Sequence, residues 1–298
     1  MQPRHVFIVG CDRTGTTILM NALNKHKKMR ICRQTHFMGH LARPGFRQKM
    51  KEFGDLSNDA NVQNLVEFVY DKPFAGGNYW RWLSKSVEPE IFLQWILDSD
   101  RSARSFLSIL MQARAKDETI LGEKTPDHIK YVPTLLEWFP DALIIHTCRD
   151  PRAVFVSEFY HCWNPPVRRS FPYKQLRPIR PLFSLFILFH MSLEWFLAAN
   201  YHLKYKELYP DNYHLLRFED LISDPENQIK RLCNLLGVEF QNEMLEQKVV
   251  HTGFTTEKNK VGFDKQTIDR WKDHISPLSK AWFSLWIKKY MREFGYVD

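Results

Sequence analysis

The strongest constraint on the fold is a glycine-bounded loop, Gly10 to Thr17, that stands between an apolar run and a helical pattern. His5 to Val9 have the pattern of a buried strand, and apolar residues recur at helical spacing from Thr16 to about Asn24. A loop in this context directs backbone N–H groups and the positive end of a helix dipole at an anion. The sequence therefore predicts a phosphate-binding loop in an α/β protein.

The side chains of this loop favour a short anion over a nucleoside triphosphate. In the GxxxxGK[ST] pattern of NTPases the lysine bridges the β- and γ-phosphates, and here Thr16 occupies its place. Arg13, Gly15 and the hydroxyls of Thr14, Thr16 and Thr17 suit a group such as a 5′-phosphate. A tight strand–helix turn explains the same residues without a ligand. A P-loop kinase or NTPase remains the alternative function.

A second anion motif begins at Arg149, directly after a predicted strand from Leu143 to Thr147. A helix is predicted from Pro151 to about Phe159, since proline is favoured at the first helical position. In a parallel sheet the loops after the strands open on the same edge, where ligands bind. Arg149, with Ser157 two turns along that helix, is therefore predicted to hold a second phosphate. A helix-capping ion pair is the simpler alternative.

Strands that alternate with helices define the predicted fold class. A third strand is expected from His214 to Phe218, followed by a polar turn and a helix from Pro225 to Leu236 that ends at Gly237. We expect an α/β protein with a central parallel sheet, a P-loop-like phosphate loop, and helices on both faces.

One domain over residues 1–298 is the simplest organisation of the chain. Residues 50–120 are mostly helical in pattern, and a helical insertion is expected at about 42–118. Five prolines and four arginines at about 164–181 predict an irregular basic loop. The apolar stretch from Leu182 to Phe189 has eight residues, which predicts a buried helix and not a membrane span.

The composition of the chain indicates the charge of its ligand and the cellular compartment in which it works. The chain has 42 basic and 34 acidic side chains, and its formal charge of +8 favours an anionic ligand without naming it. The five cysteines are odd in number and form no CxxC pair, which indicates reduced thiols in a cytoplasmic protein. We expect neither a membrane nor a nucleic-acid partner.

Five segments, in chain order, resemble the PAPS-dependent sulfotransferases (PAPS is 3′-phosphoadenosine 5′-phosphosulfate). Gly10–Thr17 is similar to the family's 5′-phosphosulfate loop, and Arg149–Ser157 to its 3′-phosphate motif. Glu123–Pro126 resembles the strand end whose lysine lies near the transferred sulfuryl group. The other two segments resemble the family's later strand and its closing C-terminal segment: His214–Leu221 and Gly262–Ser276.

This resemblance implies transfer of a sulfuryl group from PAPS to a hydroxyl or amine of a small-molecule or carbohydrate acceptor. Lys124 would offset negative charge on the bridging oxygen as the S–O bond breaks. Lys258 and Lys260, near Gly262, would fold over the nucleotide. No divalent metal is expected, because positive side chains stand where Mg²⁺ stands in kinases.

The catalytic base is in neither of the family's usual places. Carbohydrate-type members have Glu where this chain has Gln34, and cytosolic small-molecule members have His where it has Pro126. His36, in the loop that contains Gln34, is the first candidate, and His128 the second, with His40 and Glu123 behind them. A nucleotide-binding homologue without catalysis is therefore a further alternative.

Overall fold

The core of the protein is a five-stranded parallel β-sheet flanked by helices. The structure is a computed structural model that describes residues 4–40, 43–71, 80, 82–164, 173–247 and 261–296. The described strands are β1 (Arg4–Gly10), β2 (Met29–Cys32), β3 (Gly39–His40), β4 (Arg43–Pro44), β5 (Ile120–Lys124), β6 (Leu143–Cys148) and β7 (Tyr213–Arg217). The central sheet has the order β2-β5-β1-β6-β7, and β3 pairs with β4 in an antiparallel ribbon. The predicted α/β class is confirmed.

Helices make up most of the remaining structure in the described ranges. The α-helices are α1 (Thr16–Leu23), α2 (Phe46–Met50), α3 (Asp59–Asp71), α4 (Pro89–Leu97), α5 (Ala103–Gln112), α6 (Val132–Trp138), α7 (Pro151–Trp163), α8 (Tyr173–Leu176), α9 (Arg180–Leu208), α10 (Phe218–Ser223), α11 (Pro225–Leu236), α12 (Gln266–Asp269), α13 (Pro277–Trp286) and α14 (Lys288–Glu293). The 3₁₀ helices are Lys51–Phe53, Leu83–Lys85, Pro126–Tyr131, Asn242–Leu245 and Arg270–Asp273. The predicted helical character of the 42–118 region is confirmed by α2 to α5.

The chain groups into two compact units, and the single domain over residues 1–298 stays a prediction. The first unit comprises residues 1–9 and 23–145, and the second comprises residues 10–22 and 146–298. In the first unit β5 pairs in parallel with β1 and β2, which puts Lys124 opposite Ile8 and Glu123 opposite Cys32. Every residue of β5 is buried, as expected for a central strand of a parallel sheet.

Helix ends in the second unit follow from local chemistry. Asp150 caps α7, because its side chain accepts a hydrogen bond from the Arg152 backbone N–H at 2.8 Å, and Pro151 occupies the first helical position. Gly237 ends α11 with a left-handed φ of 65°. The predicted boundaries of α1 and α11 and the start of α7 are confirmed.

Two boundaries of the second unit differ from the sequence prediction. α7 continues to Trp163, four residues beyond the predicted end. Phe218, predicted as the last residue of a strand, instead begins α10. Glu219 and Asp220 lie in the first turn of α10, where carboxylates interact favourably with the helix dipole, so a helix replaces the predicted polar turn.

The region predicted as an irregular basic loop is partly helical. Tyr173 begins the short helix α8, and its ring packs edge-on against Phe186 at a centroid distance of 5.4 Å. Arg180 already belongs to α9. The loop prediction is therefore wrong for most of residues 173–181, while residues 165–172 lie outside the described residues.

The long helix α9 is buried on one face only. Phe183, Ile187 and Trp195 are buried, whereas Leu182 and Phe189 are about half exposed. Among the described residues α9 has the length and apolar composition of a membrane span, and 44% of its most apolar 18-residue window is buried inside the protein. The prediction of a buried helix is confirmed for one face and wrong for the other.

Candidate active site

The phosphate loop in the second unit is shaped by an internal hydroxyl. Thr14 Oγ1 donates a hydrogen bond to the Cys11 carbonyl at 2.7 Å and lies 2.8 Å from Thr147 Oγ1. Thr14 is therefore buried and stabilises the turn. Thr16 is buried at the first position of α1, and Thr17 beside it is partly exposed.

Two residues of the loop have left-handed backbones. Gly15 has a φ of 88°, and a Cβ there would lie 2.5 Å from the Phe218 ring, so only glycine fits. Arg13 has a φ of 69°, which costs about 1–2 kcal/mol for a residue with a Cβ. Its Nε donates to Ser157 Oγ at 3.3 Å and lies 3.8 Å from Glu158 Oε2. These contacts hold the Arg13 side chain against α7.

Arg149 is a buried guanidinium at the end of β6. Its Nη2 donates to the Thr267 carbonyl at 2.7 Å, its Nη1 lies 3.4 Å from the Arg13 carbonyl, and the group stacks on the Phe218 ring at 4.1 Å. Burial, opposed by the charge of Glu219 and aided by that of Arg13, lowers the pKa of Arg149 to about 10. A guanidinium in such a place is stabilised by an added anion.

Arg149 and Ser157 line one small cavity of about 20 Å³ together with Arg270 and Trp271. Arg149 Nε is buried and has no hydrogen-bond partner among the residues that the structure describes. A donor of this kind is costly unless a ligand accepts its hydrogen bond. The residues therefore match a phosphate in charge and hydrogen bonding, while the cavity itself has room for about one water-sized group.

In the first unit a buried carboxylate organises the end of β5. Glu123 is 1% exposed, its Oε2 accepts hydrogen bonds from Thr35 Oγ1 and from Thr125 Oγ1 (3.2 Å), and its Oε1 pairs with His128 Nδ1. Burial raises the pKa of Glu123, but His128 and the two hydroxyls together lower it below its usual range. Lys124, the next residue, is 6% exposed.

The loop that contains His36 is fixed to this carboxylate cluster. On one side of His36 the Thr35 backbone N–H donates to Thr125 Oγ1 at 3.1 Å, and on the other the Met38 backbone N–H donates to His128 Nε2 at 3.2 Å. His36 itself has a left-handed φ of 50°. A strained backbone of this kind persists only where its surroundings hold it, and such positions cluster at functional sites.

The two candidate histidines thus differ in their surroundings. His128 is fully buried, and its Nε2 accepts a hydrogen bond while its Nδ1 faces Glu123. Both nitrogens are therefore engaged by the protein, which fixes the ring in one tautomer. His36 is 9% exposed and lies in the loop that the Thr35 and Met38 backbone hydrogen bonds hold in place.

The remaining predicted residues are on the C-terminal segment. Gly262 has a φ of 93°, and its N–H donates to the Gln247 carbonyl at 2.8 Å. Lys258 and Lys260 lie outside the described residues. Among the residues that are described, no group of three or more His, Cys, Asp or Glu side chains is arranged to hold a metal ion.

Sequence reasoning assigned no role to two residues that shape the site, and it included a third only within the longer closing segment Gly262–Ser276. Thr35 links the His36 loop to Glu123, Phe218 packs against both Gly15 and Arg149, and Arg270 lines the cavity with Arg149. The Arg270-Trp271-Lys272 run was a visible signal for the last of these. Nothing local in the sequence marks the other two, since their partners are distant in the chain.

Comparison with known proteins gives a family match over most of the chain. The sequence profile described as "Sulfotransferase family" matches residues 3–242. The omega-hydroxy-beta-dihydromenaquinone-9 sulfotransferases of Mycobacterium tuberculosis and Mycobacterium bovis are each 32% identical over 122 residues. That match covers 39% of this chain and 28% of each relative, so the chain aligns with little more than a quarter of these proteins.

Solved structures with a similar fold cover almost the whole chain. The sulfotransferase domain from the Synechococcus PCC 7002 olefin synthase has a TM-score of 0.57 at 17% identity, and the match covers 100% of this chain and 96% of that one. The mouse sulfotransferase SULT7A1, complexed with PAP, has a TM-score of 0.51 at 14% identity, over 98% and 86% of the two chains. At these identities the likeness shows the fold alone.

Proposed function

The chain belongs to the sulfotransferase family, and we propose that it transfers a sulfuryl group from PAPS to a hydroxyl or amine of a small-molecule or carbohydrate acceptor. The observation that carries the choice of donor is the cavity in the second unit. There Arg149 and Ser157, predicted to bind a 3′-phosphate, line the same cavity as Arg270, and Arg149 Nε lacks a partner among the described residues. A 3′-phosphate distinguishes PAPS from ordinary nucleotides.

The kinase and NTPase alternative is not favoured. Thr16 stands where the P-loop lysine would bridge the β- and γ-phosphates, and the family profile matches the chain across this loop. ATP turnover in the absence of PAPS would be the result that revives it.

Two groups in the first unit are proposed to act on the reacting atoms. In the transfer step the acceptor oxygen or nitrogen forms a bond to sulfur, the bond from sulfur to the 5′-phosphate oxygen breaks, and adenosine 3′,5′-bisphosphate leaves. Lys124 is assigned to the negative charge on that oxygen. The register of β5 supports this, because Lys124 lies opposite Ile8, two residues before the chain enters the phosphate loop at Gly10.

His36 is proposed as the base that takes the acceptor proton. Of the two candidate histidines, His128 has both nitrogens engaged by Glu123 and by the Met38 backbone, so we assign it to positioning. His36 stands in the loop that supplies the base in the carbohydrate-type members that the chain resembles. Its strained backbone is held by contacts on both sides.

We expect adenosine 3′,5′-bisphosphate to raise the melting temperature clearly more than AMP or ADP. A ligand at 100 times its Kd stabilises the folded state by about 2.7 kcal/mol, and each charge-assisted hydrogen bond to a 3′-phosphate contributes about 1.5–3 kcal/mol. Differential scanning fluorimetry at equal nucleotide concentrations measures this difference. Equal shifts from the three nucleotides would contradict the assignment of Arg149 and Ser157.

Variants connect that preference to the cavity. Arg149→Lys keeps the charge but loses the planar fork, and Ser157→Ala loses one hydroxyl, so both should reduce the advantage of the 3′-phosphate. The matched control is Arg231→Ala, which removes a guanidinium of the same unit that donates to the Leu215 carbonyl at the exposed surface. This control should leave the nucleotide preference unchanged.

His36→Asn is expected to lower turnover about 10²–10⁴-fold, the usual contribution of a positioned general base. Asparagine keeps a polar side chain of similar size and tolerates the left-handed backbone at this position. The test compares pH–rate profiles, in which the wild type should show a limb that the variant lacks. An unchanged profile at full turnover would make His128 the leading candidate.

The acceptor is proposed as a molecule with a free hydroxyl, with an amine as the second choice. The names of the Mycobacterium relatives give an omega-hydroxy menaquinone derivative as their acceptor. The segment that matches this chain covers 28% of the length of each relative. A screen of hydroxyl and amine acceptors with radiolabelled PAPS tests this choice directly.

A cytoplasmic location is also proposed. All five cysteines are free thiols with buried side chains, which suits a reducing compartment. Fractionation of cells that express the full chain with a C-terminal tag measures it.

A further inference from the structure

An apolar stripe runs along the outer side of α9. Leu182, Leu185, Phe189 and Leu193 follow one another at spacings of three, four and four residues, so they share one helix face. Their side chains are 48%, 56%, 51% and 37% exposed. A soluble protein seldom leaves four large apolar side chains exposed on consecutive turns, and such patches mark interaction sites.

The helix α13 extends this stripe with two tryptophans. The Phe189 ring lies 6.3 Å from the rings of Trp282 and Trp286, which stack on each other at 5.3 Å. On the same helix Leu278 and Leu285 are 85% and 84% exposed. We call the exposed leucine, phenylalanine and tryptophan side chains of residues 182–193 and 278–286 the apolar face.

Basic side chains outnumber acidic ones along the segments that carry the apolar face. Residues 173–194 and 277–293 contain seven basic side chains and two acidic ones, Glu194 and Glu293. The seven basic residues are Lys174, Arg177, Arg180, Lys280, Lys288, Lys289 and Arg292. An apolar surface of leucine, phenylalanine and tryptophan with basic flanks complements the hydrocarbon boundary and the phosphates of an anionic bilayer.

We propose that the apolar face binds the surface of an anionic phospholipid bilayer, with the first half of α9 lying in the plane of the interface. Tryptophan is enriched at this depth of a membrane, because its ring is apolar and its indole N–H is polar. The helix lies on the bilayer and does not cross it, since the opposite side of α9 packs Phe183, Ile187 and Trp195 into the protein. This proposal departs from the expectation that the chain has no membrane partner.

The test is flotation of the full-length protein with lipid vesicles. One set contains about one-third phosphatidylglycerol in phosphatidylcholine, and the other contains phosphatidylcholine alone. We expect binding to the anionic vesicles, weakened but not abolished at about 0.5 M salt, because screening removes the charge contribution and leaves the apolar one. If the wild-type protein floats with neither set of vesicles, the proposal is wrong.

Two double variants separate the apolar and charge contributions. Leu185→Glu with Leu285→Glu should abolish binding, and Lys288→Glu with Lys289→Glu should weaken it about tenfold or more at low salt. The matched controls change exposed residues outside the apolar face: Ile91→Glu, and Lys27→Glu with Lys28→Glu. All positions are exposed, so melting temperatures should stay close to that of the wild type.

The same variants identify a different occupant if the proposal is wrong. Should the wild type be a dimer by light scattering, bind no vesicle, and become a monomer when Leu185 and Leu285 are changed, the face joins two copies of the chain. Equal vesicle binding by the wild type and the leucine double variant would also overturn the proposal.

Discussion

Replacing Lys124 with alanine is expected to lower kcat for sulfuryl transfer about 10²–10³-fold, the usual effect of removing one group that stabilises charge in the transition state. The Kd for adenosine 3′,5′-bisphosphate should change by less than about threefold, since the ammonium group matters chiefly as the S–O bond breaks. Single-turnover kinetics with PAPS and isothermal titration with the product measure the two quantities.

The position of Lys124 gives the physical reason for so large an effect. The residue ends β5, a strand that is buried along its whole length, and it is itself only 6% exposed. A charge held in such surroundings acts through a lower effective dielectric than a surface charge, so its interaction with developing negative charge is stronger. The pairing of β5 with β1, in which Lys124 lies opposite Ile8, fixes the position of the Lys124 Cα atom.

Two further variants separate catalysis from folding. Lys124→Met keeps most of the side-chain volume while it removes the charge, so it should be as slow as Lys124→Ala and better folded. Lys130→Ala is the matched control: this lysine is in the following 3₁₀ helix, pairs with Asp127 at 3.3 Å, and should leave kcat unchanged. If Lys124→Met turns over within about threefold of the wild type, the assigned role is wrong.

The elements that could be predicted from the sequence carry their signals locally. The phosphate loop, the proline at the start of α7 and the Gly237 end of α11 each depend on residues within one or two turns. Such signals remain valid whatever packs around them. The strand β2 was missed, because its four residues Met29–Cys32 alternate little and follow no strong turn.

Exposure is the property of α9 that the sequence could not give. The run from Leu182 to Phe189 is apolar all round, and a helix with this pattern is normally buried on every side. Which side chains are covered depends on the elements that pack against the helix. Only the structure shows that Phe183 and Ile187 are covered while Leu185 is not.

The carboxylate cluster of the first unit could not be predicted for a different reason. Thr35 and Glu123 are 88 residues apart in the chain, and Met38 and His128 are 90 apart. No local pattern links residues at such separations. The sequence placed Glu123 among the candidate bases, whereas its contacts indicate a residue that positions the His36 loop.

Glu123→Ala is expected to destabilise the protein by about 3 kcal/mol or more, since each buried donor left without an acceptor costs about 1–3 kcal/mol. His128 Nδ1 and the hydroxyls of Thr35 and Thr125 would lose their acceptor in a place where water cannot replace it. Urea denaturation at neutral pH measures the loss. Glu123→Gln keeps one acceptor oxygen and should cost less.

The matched control is Glu226→Ala, which removes the exposed partner of Lys230 at 2.6 Å in α11. A surface pair of this kind contributes about 0–1 kcal/mol, so the two alanine variants should differ by several-fold in their effect. Each variant replaces one glutamate with alanine, so both change the net charge of the protein by the same amount.

The stabilisation that Glu123 provides should depend on pH in a definite direction. The folded protein lowers the pKa of Glu123 below its usual value of 4.5, so the stabilisation is present above that value and is lost as the pH falls through the folded pKa. The difference in urea midpoint between the wild type and Glu123→Ala should therefore be constant from neutral pH to about pH 5 and shrink below it. A difference that is small at neutral pH, or that grows in acid, would show that the cluster does not hold an ionised Glu123, and the His36 loop would need another anchor.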